Sequence, residues 1–165
     1  MPKVILDACV LSNFAYSRSL GILHRLYGGQ LGLTNFVVAE VIRGIQRGHG
    51  FLLGVKTALK EGWIEEVAPR TSAEKDIFEK LSESLGLGEA SAIAVALGRG
   101  LVFASDDFAA RREAARLGVR LTGTLGILKR ACVRGIVKRA DADKRLRVMI
   151  DGGFFSPVKS ISEIP

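Results

Sequence analysis

The segment running from Glu89 to Leu97, Glu-Ala-Ser-Ala-Ile-Ala-Val-Ala-Leu, is almost wholly apolar and lies between Gly86-Leu87-Gly88 and the pair Gly98 and Gly100. It predicts a helix, and a helix that is apolar all round has no face to offer water. Such an element must lie inside the fold, covered by other layers. The apolar run Leu101–Ser105 follows at once and reads as a buried strand.

The rest of the chain alternates in the same way. Lys3–Asp7 is a short apolar run without helical period, a strand. A helix capped by Ser17 is predicted through about Tyr27, ended by Gly28-Gly29. Leu31–Thr34 reads as a second strand. Thr34 or Asn35 then caps a helix whose apolar positions, Val37, Val38, Val41, Ile42 and Ile45, recur every three to four residues. Phe51–Glu61 is helical and Trp63–Val67 is a third strand. Ser72 caps a helix to about Leu85, Asp107–Leu117 is helical, and Val119–Leu121 is a last short strand. Helices at 124–133 and 139–151 complete the pattern. The expected fold is a three-layer α/β/α sandwich with a mostly parallel sheet of four or five strands. No repeat or linker divides the chain, so residues 1–165 are read as one domain with 152–165 as a surface tail.

Charge is distributed unevenly. The chain carries a net +7, but residues 111–147 hold 12 Lys or Arg against Glu113, Asp141 and Asp143, a local +9 that leaves −2 elsewhere. That asymmetry favours a polyanionic partner such as nucleic acid. No run approaches a membrane span, and the N-terminus enters a strand without a signal-peptide pattern, so a cytoplasmic location and no membrane partner are expected. Cys9 and Cys132 lack metal-ligand spacing, and His24 and His49 stand alone, which argues against zinc.

Against this basic background, five acids stand where an α/β fold would gather them. Asp7 closes the first strand and Asp106-Asp107 follows the strand Leu101–Ser105. In an open parallel sheet, the carboxyl ends of strands border the ligand crevice. Glu40 lies on a helix and Glu89 heads the apolar one. Each has a plain structural alternative. Asp7 can form an Asx-turn or cap in the loop that follows it, and Glu40 can pair with Arg43 on a solvated face. Glu89 suits a helix N-terminus. Asp107 can cap its helix or pair with Arg111, though a cap accounts for only one Asp of the pair. Taken together, crowded carboxylates at a strand-end crevice call for a divalent cation. In a basic chain they suggest metal-assisted attack on a phosphodiester. Arg111, Arg112, Lys129 and Arg130 are the candidate phosphate contacts, on charge alone.

These acids carry a resemblance. Val-Ile-Leu-Asp7-Ala-Cys-Val-Leu, Thr34-Asn-Phe-Val-Val-Ala-Glu40-Val, Gly-Leu-Gly-Glu89-Ala-Ser-Ala-Ile-Ala and Phe-Ala-Ser-Asp106-Asp107, in that order over nearly the whole chain, are similar to the acidic motifs of PIN domains. In particular they resemble those of small prokaryotic proteins akin to VapC toxins. Gly-Glu-Ala, Asp-Asp-x-x-Ala-Arg and Gly123-Thr-Leu-Gly-Ile-Leu look like a PIN subgroup of unassigned activity. The third acid of the toxins is more often Asp, and position 9 is more often Ser, Thr or Asn; Ser12, Asn13 and Thr34 are available to supply polar contacts.

The resemblance implies an Mg²⁺- or Mn²⁺-dependent ribonuclease that leaves a 5′-phosphate. Asp7, Glu40, Glu89 and Asp106 would be catalytic, with Asp7, Asp106, Glu89 and Asp107 at the metal. Implied partners are RNA, an antitoxin protein and a second copy of the chain. The alternative is a PIN fold of weak or no activity that binds RNA or protein. Other Asp-bearing folds fit less well. An Asp phosphatase needs a second Asp where Cys9 stands, and a receiver domain places its acid pair after the first strand. A Rossmann nucleotide site needs Gly-x-Gly-x-x-Gly there, and no glycine occurs between Asp7 and Gly21.

Overall fold

A computed structural model describes residues 1–165. Five strands, β1 (Val4–Leu6), β2 (Leu31–Thr34), β3 (Ile64–Val67), β4 (Val102–Ala104) and β5 (Leu121–Thr122), form one sheet in the order 3-2-1-4-5. Every pairing is parallel. Nine helices connect and cover them: α1 (Ala8–Tyr16), α2 (Leu20–Tyr27), α3 (Asn35–Gln46), α4 (Leu53–Glu61), α5 (Ser72–Leu81), α6 (Leu87–Arg99), α7 (Phe108–Arg116), α8 (Thr124–Val133) and α9 (Arg139–Asp151).

Strand side chains alternate between faces, and the two cores follow that alternation. Val4 and Leu6 of β1, with Leu31 and Leu33 of β2, face the larger core built with α1–α4, α8 and α9. Ile5 of β1 and Phe103 of β4 face the smaller core with α5, α6 and α7. As its composition requires, α6 is interior: Ala90 through Ala96 are all buried. The three-layer reading therefore holds, with all five strands parallel.

Several local boundaries differ from the sequence reading, each for a definable reason. No loop follows β1. Asp7 accepts the Cys9 amide and starts α1 immediately, and Val10, Leu11, Phe14 and Ala15 give that helix its buried face. Ser17 does not cap a helix to Tyr27. Its hydroxyl folds back onto the Asn13 carbonyl at the end of α1, and Ser19 precedes α2. Thr71, not Ser72, caps α5, because a reciprocal capping box with Glu74 satisfies both ends of that turn. That helix stops at Leu81 rather than Leu85. The last strand is Leu121–Thr122, where Phe103 and Ala104 provide its register. The tail is anchored as well as superficial. Ile161 is 3% exposed and its amide donates to Asp143 at 2.8 Å, while Phe155 stands 95% exposed.

Candidate active site at the β1–β4 switch point

In this strand order the chain leaves β1 toward β2 on one side and returns at β4 on the other. Ligand crevices open outside the carboxyl ends of strands at such a reversal. Register brings the acids there. Leu6 pairs with Ala104, so the residues that follow each strand meet, and the Asp7 amide donates to the Ala104 carbonyl at 2.9 Å.

Asp7 is 4% exposed and its carboxylate is held from two sides. Oδ1 accepts from the Cys9 amide at 2.6 Å, and Oδ2 accepts from the Ser105 hydroxyl. Ser105 Oγ also accepts the Asp107 amide at 3.1 Å, so one buried serine links two acids. Asp106 is fixed by α8 and α1. Its Oδ1 accepts the Thr124 amide at 2.9 Å, and its Oδ2 accepts from Thr124 Oγ1 and, at 3.2 Å, from Asn13 Nδ2. The pair at 106–107 thus divides its work. Asp107 Oδ1 caps α7 by accepting the Ala110 amide at 2.8 Å, while Asp106 is spent on the crevice wall.

Glu40 and Glu89 arrive on α3 and α6. These helices are tied together where Thr34, the cap of α3, meets Ser91 of α6 at 2.7 Å. Glu40 lies over Gly88, and any Cβ at Gly88 would collide with its carboxylate. Glycine there permits the close approach. Gly123 is constrained similarly, since a Cβ would come within 2.7 Å of Asp106 Oδ1 and 3.1 Å of the Ser105 carbonyl.

The acids sense one another. Burial pushes the Glu89 carboxyl up to about 7, aided by the charges of Asp107, Asp7 and Glu40. Glu40 is raised by burial and then by Asp7, with Arg43 and the Gly88 amide opposing. Burial also raises Asp106, against the lowering hydrogen bonds from Thr124. Cys9 is held firmly as a neutral thiol, by burial first and by Asp7 second. None of the five acids forms an ion pair; the salt bridges are Glu74–Arg99, Glu113–Arg116 and Asp141–Arg145. The cluster gathers hard oxygen donors with no direct ion pair, and Arg43 and Arg111 act on it only from beyond contact.

That donor set suits Mg²⁺ or Mn²⁺. No three Asp, Glu, His or Cys side chains close on one point. Mg²⁺ commonly binds through one or two carboxylates and keeps several waters.

The basic candidates fare differently from one another. Arg111 Nη1 donates to the carbonyls of Ser105 at 2.7 Å and Thr122 at 2.9 Å, bracing the crevice wall. Lys129 Nζ donates to the carbonyls of Ile164 and Pro165 and ties down the tail. Arg112 and Arg130 are exposed and unpaired. Among the polar residues flagged beside the acids, Asn13 does contact Asp106, whereas Thr34 serves the α3–α6 junction. Ser105 and Thr124 were not singled out from the sequence. A polar residue ending an apolar strand run, and a threonine opening a helix after glycine, were the available signals.

A parallel sheet with acids gathered at its switch point is an α/β domain of the class that binds ligands outside the carboxyl ends of its strands. Residues 3–164 match the family described as PIN domain, and the chain belongs to that family. No curated protein matches it. No helix is long and apolar enough to cross a membrane.

Proposed function

We propose that this PIN domain is a metal-dependent endoribonuclease. The observation that carries the reading is the group of five acids, without a cationic partner, at the β1–β4 switch point of a chain of net charge +7. Asp7 and Asp106 would hold Mg²⁺ or Mn²⁺, with Glu89 and Asp107 as further oxygen donors. Bound there, the ion would make a water nucleophilic near neutral pH and stabilise charge on the phosphoryl oxygens.

The chain's own groups do the rest. Ser105 and the Cys9 amide orient Asp7, and Thr124 with Asn13 orients Asp106, so both carboxylates are aimed before substrate arrives. Glu40 and Glu89 complete the acid ring, and one of them orients the attacking water. Attack on phosphorus breaks the bond to the 3′-oxygen and leaves a 5′-phosphate. Arg112 and Arg130 are free to contact phosphates, and Arg111 keeps donors beyond those used on Ser105 and Thr122.

A role as the toxin of a toxin–antitoxin pair, working in the cytoplasm and as a homodimer, belongs to the same proposal. An acidic antitoxin would find a complementary surface in two adjoining grooves of about 520 and 440 Å³ that share Val137 and Lys138 and carry Lys129, Arg139, Arg18 and Arg25. The second reading is a binding module without turnover, which the hydrogen-bonded engagement of every Asp7 and Asp106 oxygen favours.

One experiment separates them. Wild-type protein should cut unstructured RNA with Mn²⁺ and stop with EDTA, and Mn²⁺ should raise its Tm by preferential binding to the folded state. Asp7→Asn should lose both the cutting and the Tm shift. Cleavage that survives EDTA or Asp7→Asn would refute the metal site. Retained RNA binding without cleavage, with or without a Tm shift, would favour the binding module.

A further inference from the structure

The mouth of the crevice carries apolar side chains that the fold does not use. Phe108 is the first residue of α7, directly after the cap Asp107, and is 79% exposed. It joins none of the aromatic pairs, which are Tyr16–Phe51, His24–Trp63, Phe36–Phe78 and His49–Phe51. Nor can it serve a hydrophobic staple, which would engage the residues at 106 and 111, here Asp and Arg. Leu87, the first residue of α6 and two before Glu89, is 51% exposed. The helices α6 and α7 share the smaller core through Ala90, Ile93, Ala110 and Ala114. Leu87 adjoins Gly88, which lies against the Glu40 carboxylate, and Phe108 adjoins Asp107, whose amide is tied to Asp7 through Ser105, so both side chains border the acids.

A cation completes the set. Arg112 is exposed and follows Phe108 by four residues on α7, so the two side chains are neighbours on one helix face. An exposed ring beside an unpaired guanidinium is how single-stranded nucleic acid is commonly held, with the base on the ring and the phosphate on the cation. A single exposed apolar residue means little. Two of them bracketing the acids, with a phosphate ligand one turn on, make a recognition surface.

We propose that Phe108, with Leu87 opposite and Arg112 one turn further along α7, clamps one unpaired nucleotide at the mouth of the acid crevice. Phe108 is thus a positioning residue. The clamp rests on the endoribonuclease reading for its substrate and restricts that substrate to RNA with an unpaired base at the cut. A duplex cannot offer a base face to Phe108 without being opened.

The test is binding of a fluorescent single-stranded RNA and its duplex to the metal-free protein, followed by cleavage kinetics with Mn²⁺. Phe108→Ala should weaken single-strand binding by roughly 5- to 140-fold, the loss expected for one stacked base. Phe108→Trp should restore it, and duplex binding should not change. Arg112→Gln should lower the salt slope for single strands by about 0.7. In cleavage, Phe108→Ala should raise KM and leave kcat nearly unchanged. Phe155→Ala, which removes an exposed ring from the tail, should have no effect.

Equal single-strand affinity for Phe108→Ala and wild type would overturn the clamp, as would an equal loss in Phe155→Ala. A fall in oligomer mass on Phe108→Ala would also overturn it, by showing that the rim joins copies of the chain. Loss of binding in a protein that never cuts RNA would uphold the clamp and refute only the hydrolysis.

Discussion

Replacing Glu89 with Gln should make the metal-free protein more stable at pH 8 and leave it unchanged at pH 4. In the folded chain the Glu89 carboxyl titrates near 7, against 4.5 for the unperturbed group. A carboxyl whose folded pKa is raised favours the folded state while it is protonated. That advantage is fully present below about pH 4.5 and is lost as pH rises through 7. For a fully buried group such a rise would be worth about 3.4 kcal/mol, at 1.36 kcal/mol per pH unit. Glu89 is only half-buried, and solvent screening brings the expected effect down to about 1 kcal/mol. In a domain of this size that is about 2–4 °C in Tm.

Urea unfolding at pH 4 and pH 8 with EDTA measures the effect. Saturating Mn²⁺ at pH 8 should reverse the order, because the wild type gains more from binding the ion. A Glu89→Gln protein that is equally destabilised at both pH values would refute the reasoning. Glu89 would then be a structural residue of α6 rather than a strained member of an acid ring.

Two further changes separate site from scaffold. Gly88→Ala should cost little stability, since the flexible end of Glu40 can swing away, yet it should cut Mn²⁺-dependent cleavage sharply. Gly123→Ala meets the Ser105 carbonyl as well as Asp106 and should cost about 1–3 kcal/mol in urea unfolding. Equal stability losses in the two variants would undo the distinction. Glu74→Gln, which removes the charge facing Arg99 but can still close the α5 capping box, should destabilise by about 2 kcal/mol at pH 7. The Arg99 hydrogen bond, the largest influence on Glu74, holds its carboxyl below the usual range, so the difference should shrink as pH falls through that depressed value. A pH-independent loss would assign the effect to packing.

The elements most legible in the sequence were those whose burial leaves no choice. Leu101–Ala104 is apolar without interruption and the helix behind Glu89 is interrupted up to Leu97 only by Ser91, and only an interior position accepts them. The acids were legible because two of them end such runs. What escaped were residues with two simultaneous duties. The capping role open to Asp7 is the one it takes, but the helix it caps starts at once, so the loop expected after β1 does not exist. Ser105 connects Asp7 to the Asp107 amide only because Leu6 is in register with Ala104, and register is a property of the pairing, not of either strand alone. Arg111 and Lys129 counted as charge, but much of their hydrogen-bonding capacity goes to backbone carbonyls that no local pattern predicts. Phe108 was passed over because helical periodicity assigns no role to an exposed first-turn residue.

The hold on Asp106 has a consequence for how the protein is made. Its carboxylate is gripped by Asn13, near the start of the chain, and by Thr124, well past its middle. Domains are built from the N-terminus at about 5–20 residues per second, so Asp7, Glu40 and Glu89 leave the ribosome well before Thr124 does. Through that interval Asp106 has only Asn13 and the β1–β4 register to place it, and lacks the two Thr124 hydrogen bonds. The acid cluster is fully held only when α8 has docked against α1, which makes its final arrangement a late event in folding. A nascent fragment working beside the RNA-rich ribosome would carry the acids but not their arrangement.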